Sequence, residues 1–272
     1  MPGTAATAIP EEVEVVASAR SDDLLTLSAI AVFAFIITDV LCESGRAAVA
    51  LLTISPAGRL SSIGWSSAYD NVWVDASGAA IGLIAALVFC ILFRSFKTSG
   101  WSTRLFLLLC CAFAALSGAG YFVVAGFTDF GDWYTRLQGL HRWTALSVSL
   151  VIGGAMVYGL ALFALSRGFG QLFTERQRVR RILLISWRAA ILVYLCSAVL
   201  NPGGRGEIAL SSLPIVTISD FGLFFVSLFL PRRASAAGEV AKLDRSFAWV
   251  GTSAVCALLF IFVLGRGLML SR

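Results

Sequence analysis

Of the chain's 272 residues, 58% are hydrophobic and only 14% charged, with a mean hydropathy of +0.86, whereas a soluble chain carries about a quarter of its residues as Asp, Glu, Lys or Arg. This charge content excludes a water-soluble globular domain and points to an all-α, polytopic transmembrane bundle. The formal net charge of +5 does not indicate nucleic acid as a partner, because basic residues in a membrane chain gather in cytoplasmic loops and against lipid headgroups.

In chain order, residues 1–23 are rich in Ala, Glu and Asp, lack the basic start of a secretory signal, and read as a polar cytoplasmic tail. A helix that crosses the hydrocarbon layer needs about 20 mostly apolar residues, because every backbone group there must be satisfied within the protein. Seven segments meet that need: 24–43, 75–94, 104–126, 143–166, 182–200, 209–230 and 247–265, followed by a short tail at 266–272. None shows the strict alternation of barrel strands. Between the first two spans, Ala47 to Ile54 is apolar but too short to cross. It either extends the first helix or forms a re-entrant or interfacial element, with Trp65, Tyr69 and Trp73 suited to the headgroup level. Gly78, Ala79 and Gly82, and Gly153, Gly154 and Gly159, read as small residues that let helices approach.

Loop charges give the orientation. Three loops are basic: Arg94, Lys97 and Arg104; then Arg167, Arg176, Arg178, Arg180 and Arg181 against Glu175; then Arg232, Arg233, Lys242 and Arg245 against Glu239 and Asp244. The alternate connections are near neutral. The basic loops are therefore expected in the cytoplasm of a multi-pass cell-membrane protein, with the N-terminus inside and the C-terminus outside.

Ionisable groups inside or at the ends of spans are costly and so draw attention. Asp39, Cys42, Glu43 and Arg46 follow i, i+3, i+4 and i+7 spacing, which puts them on one face if the first helix continues that far. Glu43 and Arg46 can pair. A second group, Tyr121, Asp129, Asp132, Trp133, Arg136, His141 and Arg142, falls on the same expected side of the membrane. His141 is the sole histidine, which excludes a His-rich metal site and paired axial haem ligands. Arg188 lies in the fifth span within snorkelling distance of the cytoplasmic headgroups, and Asp220 lies deep in the sixth, where a buried partner is expected. Five of the six cysteines sit in apolar runs as small packing residues, and Cys42 is the exception.

The segment Leu41-Cys42-Glu43-Ser44-Gly45-Arg46-Ala47 resembles the His-Glu-x-Gly-His-Ala helix of the site-2-protease-like membrane zinc metallopeptidases, known from bacterial membranes among others. In an intact motif, two histidines four residues apart bind zinc and the glutamate activates water. Val74 to Ala80 is similar to the Ala-Gly-Pro-x-x-Asn helix start of that family, without its Pro and Asn, and Gly120 to Trp133 to its third-helix region. The resemblance implies Glu43 as catalytic base and Cys42, Glu43 and Asp132 as the remaining metal ligands, with Asp129 as an alternative third. The histidine positions are Cys42 and Arg46, and a guanidinium brings positive charge to the place of the cation, which disfavours zinc.

Three function classes follow. The first is a non-peptidase membrane protein that binds a lipid, an apolar small molecule or a membrane-protein partner, including a second copy of itself. The second is a membrane-embedded enzyme with an altered metal or cysteine centre at Cys42 and Glu43. The third is a transporter or channel lined by Asp39, Arg188 and Asp220.

Overall fold

The computed structural model describes residues 22–53, 57–67, 72–127, 143–173, 175–202, 213–230 and 242–271. Helix α1 (Leu24–Thr53) starts directly after Asp23, whose carboxylate accepts from the backbone N–H of Thr26 at 2.9 Å and from its hydroxyl at 2.7 Å. That cap satisfies a donor at the helix start that has no partner within the helix. Six further helices follow: α2 (Val72–Ser95), α3 (Trp101–Phe127), α4 (Trp143–Leu172), α5 (Arg176–Ala198), α6 (Leu213–Val226) and α7 (Phe247–Leu259). A five-residue π-helical segment, Phe260–Leu264, continues α7.

Six of these helices are long and apolar enough to cross a membrane, and the chain forms a multi-pass, all-α bundle. Lipid tails are as apolar as leucine, so burial alone does not drive such helices together; close packing and hydrogen bonds do. Small side chains supply that closeness where α2 meets α3. A Cβ on Gly118 would sit 2.9 Å from the Ala79 carbonyl oxygen, and one on Gly82 would sit 3.3 Å from that of Ala114. α3 is the central element: 78% of its apolar window is buried, against 17% for α4 and 11% for α7, whose other faces remain for lipid. Around α3, Phe35 meets Phe113, Tyr194 and Phe260 edge-on at centroid distances of 5.6, 6.4 and 6.3 Å, tying α1, α3, α5 and the π-helical segment together.

Two ends of the bundle are distinguishable. The starts of α1, α5 and α7 share one: Arg178 pairs with Asp22, the Asp22 carboxylate accepts from the Leu243 N–H at 3.1 Å, and Ser246 N–H donates to the Thr26 hydroxyl oxygen at 3.0 Å. The basic connection between α4 and α5 lies here. At the other end is a small antiparallel sheet of strands β1 (Ala57–Ser61), β2 (Gly64–Ser66) and β3 (Leu268–Ser271), in the order β2-β1-β3.

The described part of the connection after the first span takes two forms. Residues 47–53 extend α1 beyond the expected end at residue 43, and residues 57–66 form a hairpin. Its tight turn pairs Ser61 with Gly64, whose φ of +148° suits glycine. The last residues of the chain complete the sheet, with Gly58 opposite Leu270 and Leu60 opposite Leu268.

Candidate functional site

Because α1 continues unbroken past Glu43, the spacing of Asp39, Cys42, Glu43 and Arg46 places all four along one stripe. They line a chamber of about 90 Å³ together with Phe35 and Thr38 of α1, Gly78 and Ala79 of α2, and Phe113, Ala114, Ser117, Gly118 and Tyr121 of α3. Asp39 lies fifteen residues into α1, about 22 Å from its start at 1.5 Å per residue, so the chamber sits in the part of the bundle remote from the basic end. One water needs about 10–15 Å³ of such space, so the chamber has room for roughly six to nine waters or one small group.

Arg46 organises the mouth. Its Nη1 lies 3.2 Å from Glu43 Oε2, and the two side chains are only 17% and 14% exposed. The guanidinium fills the gap between the hairpin and α2: a Cβ on Gly64 would fall 3.3 Å from Nη1, and one on Gly78 would fall 2.7 Å from Nη2. Glu43 is also within hydrogen-bonding reach of the Trp65 backbone N–H. Trp65 is buried against Gly58 across the hairpin. The hairpin therefore covers the Glu43–Arg46 pair, and β3 holds the hairpin in place.

Deeper in, Thr38 returns its hydroxyl to the carbonyls of Ala34 and Phe35, at 3.0 and 2.8 Å. Ser117 reaches across to α6 and donates to Asp220 Oδ1 at 3.4 Å. Asp220 is fully buried, and its Oδ2 has no hydrogen-bond partner among the described residues. Asp39 lies within electrostatic reach of Asp220, Glu43 and Arg46. Asp220 thus reaches the chamber lining through Ser117, whereas Arg188, exposed on α5, is not part of that lining.

Of the second group, Tyr121 lines the chamber; Asp129, Asp132, Trp133, Arg136, His141 and Arg142 lie outside the described residues. Ser117 and the aromatic walls Phe35 and Phe113 were not singled out by the sequence reading, because nothing local marks a serine in a run of Ala, Leu and Gly as the link between two helices. As a metal centre the donor set fits poorly. Among the described residues no three His, Cys, Asp or Glu are grouped to hold a metal ion, and a guanidinium already contacts Glu43. Cys42 faces Gly82, where a Cβ would lie 3.3 Å from its Sγ.

No protein-family model, curated protein or solved structure matches the chain.

Proposed function

We propose that the chain is a non-peptidase binding protein of the membrane whose chamber receives a small organic cation, an amine or alkylammonium, either free or as the headgroup of a lipid. The observation that carries this reading is the charge balance of a half-open chamber: among the described residues Asp39 and Glu43 line it with Arg46 as the one basic counterpart, and Phe35, Phe113 and Tyr121 wall it. A desolvated cation against aromatic faces gains about 2 kcal/mol or more, and a carboxylate adds an ion pair in a site with little water. The Glu43–Arg46 pair then acts as the rim, and Asp39, one turn deeper, as the counter-ion.

This reading narrows the range of ligands from lipid, apolar molecule or protein to a cationic group that fits beside Asp39. It also replaces metal chemistry on the peptidase-like motif, because Arg46 takes the second histidine position and contacts the glutamate. In the membrane we assign the basic end to the cytoplasm, with the chamber and the three-stranded sheet towards the opposite face.

Calorimetry on the protein in phosphatidylglycerol nanodiscs tests the reading, with tetramethylammonium and ethanolamine as probes. Binding is expected, and Asp39→Asn should weaken it about tenfold or more, the loss of one buried charge partner. Repeating the titration in phosphatidylethanolamine nanodiscs separates the two sources: competition by the lipid marks a headgroup site, and unchanged affinity marks a free solute. Failure of both probes to bind, or stoichiometric zinc lost on Cys42→Ala and on Glu43→Ala, overturns the proposal.

A further inference from the structure

The polar lining of the chamber continues into the bundle. Ser117 is part of the lining, and its hydroxyl bonds Asp220 Oδ1; Asp220 Oδ2, completely buried, has no hydrogen-bond partner among the described residues. A carboxylate with one oxygen so placed is costly in apolar surroundings unless a cation or a proton accompanies it. The ion pairs found among the described residues are Glu43–Arg46 and Asp22–Arg178, and neither includes Asp220.

The groups around Asp220 narrow the choice. From α1 it feels Asp39, one more acid, with Cys42, Glu43 and Arg46 along the same stripe. From α3 come the Ser117 hydroxyl and, at the chamber wall, Tyr121. From α4 the Tyr158 hydroxyl lies against Gly222, two residues further along α6. From α5 the neighbour is Trp187, stacked edge-on against Phe221 and Phe224. Among the described residues none of these faces brings a second base, and no three His, Cys, Asp or Glu are grouped to hold a metal ion.

We infer that Asp220 is a proton-binding site in exchange with the chamber: it carries a proton while the chamber is empty and releases it when a cation settles beside Asp39. On cation entry the O–H bond of Asp220 breaks, its electron pair stays on the carboxylate, and the proton leaves for water by way of Ser117 and the chamber. The positive charge of the bound cation replaces that of the proton, so the net charge of the buried cluster is conserved. The exchange rests on the cationic reading of the chamber; the proton site itself does not.

Infrared difference spectroscopy on the protein in nanodiscs, with pH stepped from acid to alkaline, reads the carbonyl stretch of protonated carboxyl groups. A titrating band that disappears in Asp220→Asn and persists in Asp39→Asn is expected. Ser117→Ala retains the carboxyl and removes the hydroxyl that bonds its Oδ1, so the band should remain with a displaced midpoint; this variant keeps the assignment testable should Asp220→Asn fold poorly. Added tetramethylammonium at fixed pH should remove the band and release one proton per bound cation into a lightly buffered solution. Identical titrating spectra for wild type and Asp220→Asn, or a midpoint unmoved by Ser117→Ala, overturn the proton site. Tetramethylammonium bound without loss of the band overturns the exchange and leaves the binding function standing. A band that titrates with no tetramethylammonium bound overturns the cationic reading and the exchange together, and upholds the proton site.

Discussion

At the residue scale, Arg46 carries the largest structural consequence. Its guanidinium pairs with Glu43 on its own helix and fills the space that Gly64 of the hairpin and Gly78 of α2 leave open. Removing one member of a largely buried ion pair leaves the other charge without compensation, which costs more than the pair contributes net. Arg46→Met should therefore lower stability by about 1–3 kcal/mol, at the modest end because both side chains keep some exposure. Adding Glu43→Gln to that variant should recover most of the loss. Thermal unfolding in detergent measures both, and a single mutant as stable as the double would show that the pair does not hold the mouth together. The stripe of four polar residues was legible because helical spacing is local. The link from Ser117 to Asp220 was not: the two lie 103 residues apart, and only the packing of α3 against α6 brings them together.

At the scale of elements, hydrophobic length identified the helices well and their ends less well. Polar residues at 43–46 read as the end of α1, yet the helix passes through them because the Glu43–Arg46 pair satisfies the charges internally. The hairpin was hidden because β1 is only Ala-Gly-Arg-Leu-Ser and its second partner, β3, lies at the far end of the chain. At the opposite end, a latch joins α1, α5 and α7. Arg178 donates from Nε to Asp22 Oδ2 at 2.7 Å and stands over the rings of Trp101 and Phe173, each 5.3 Å from its guanidinium carbon. Burial pushes the Asp22 carboxyl up, but hydrogen bonds from Arg178 and the Leu243 N–H, with the charges of Arg178 and Arg181, outweigh it and hold the group below the usual carboxylate range. A depressed folded pKa contributes stability that is complete above the unfolded value, about 3.9, and is lost as pH falls through the folded one. Melting temperatures of wild type and Asp22→Asn should therefore differ at neutral pH and converge below about pH 4. A gap that persists unchanged in acid would assign the effect to packing instead of charge.

At the scale of the whole molecule, the asymmetry of the two ends underlies the proposed orientation of the chamber in the membrane. Ser246 and Thr26 hold the starts of α7 and α1 together, and both helices run from there towards the end where β1 and β3 pair. Of the seven expected spans, six are long and apolar enough to cross among the described residues; in place of the expected span 209–230 stands the 14-residue helix α6. Arginines and lysines resist translocation when they flank spans, so the proposed orientation keeps the end with Lys97 and Arg176 to Arg181 in the cytoplasm and turns the sheet away from it. Ser66 on the hairpin and Lys97 between α2 and α3 are both exposed, which makes them suitable reporters of the two faces. A membrane-impermeant maleimide applied to intact cells should label Ser66→Cys readily and Lys97→Cys only after the membrane is opened, with the native cysteines as the background to subtract. The reverse pattern would place the chamber on the cytoplasmic side, and any cation it binds would then be drawn from the cell interior.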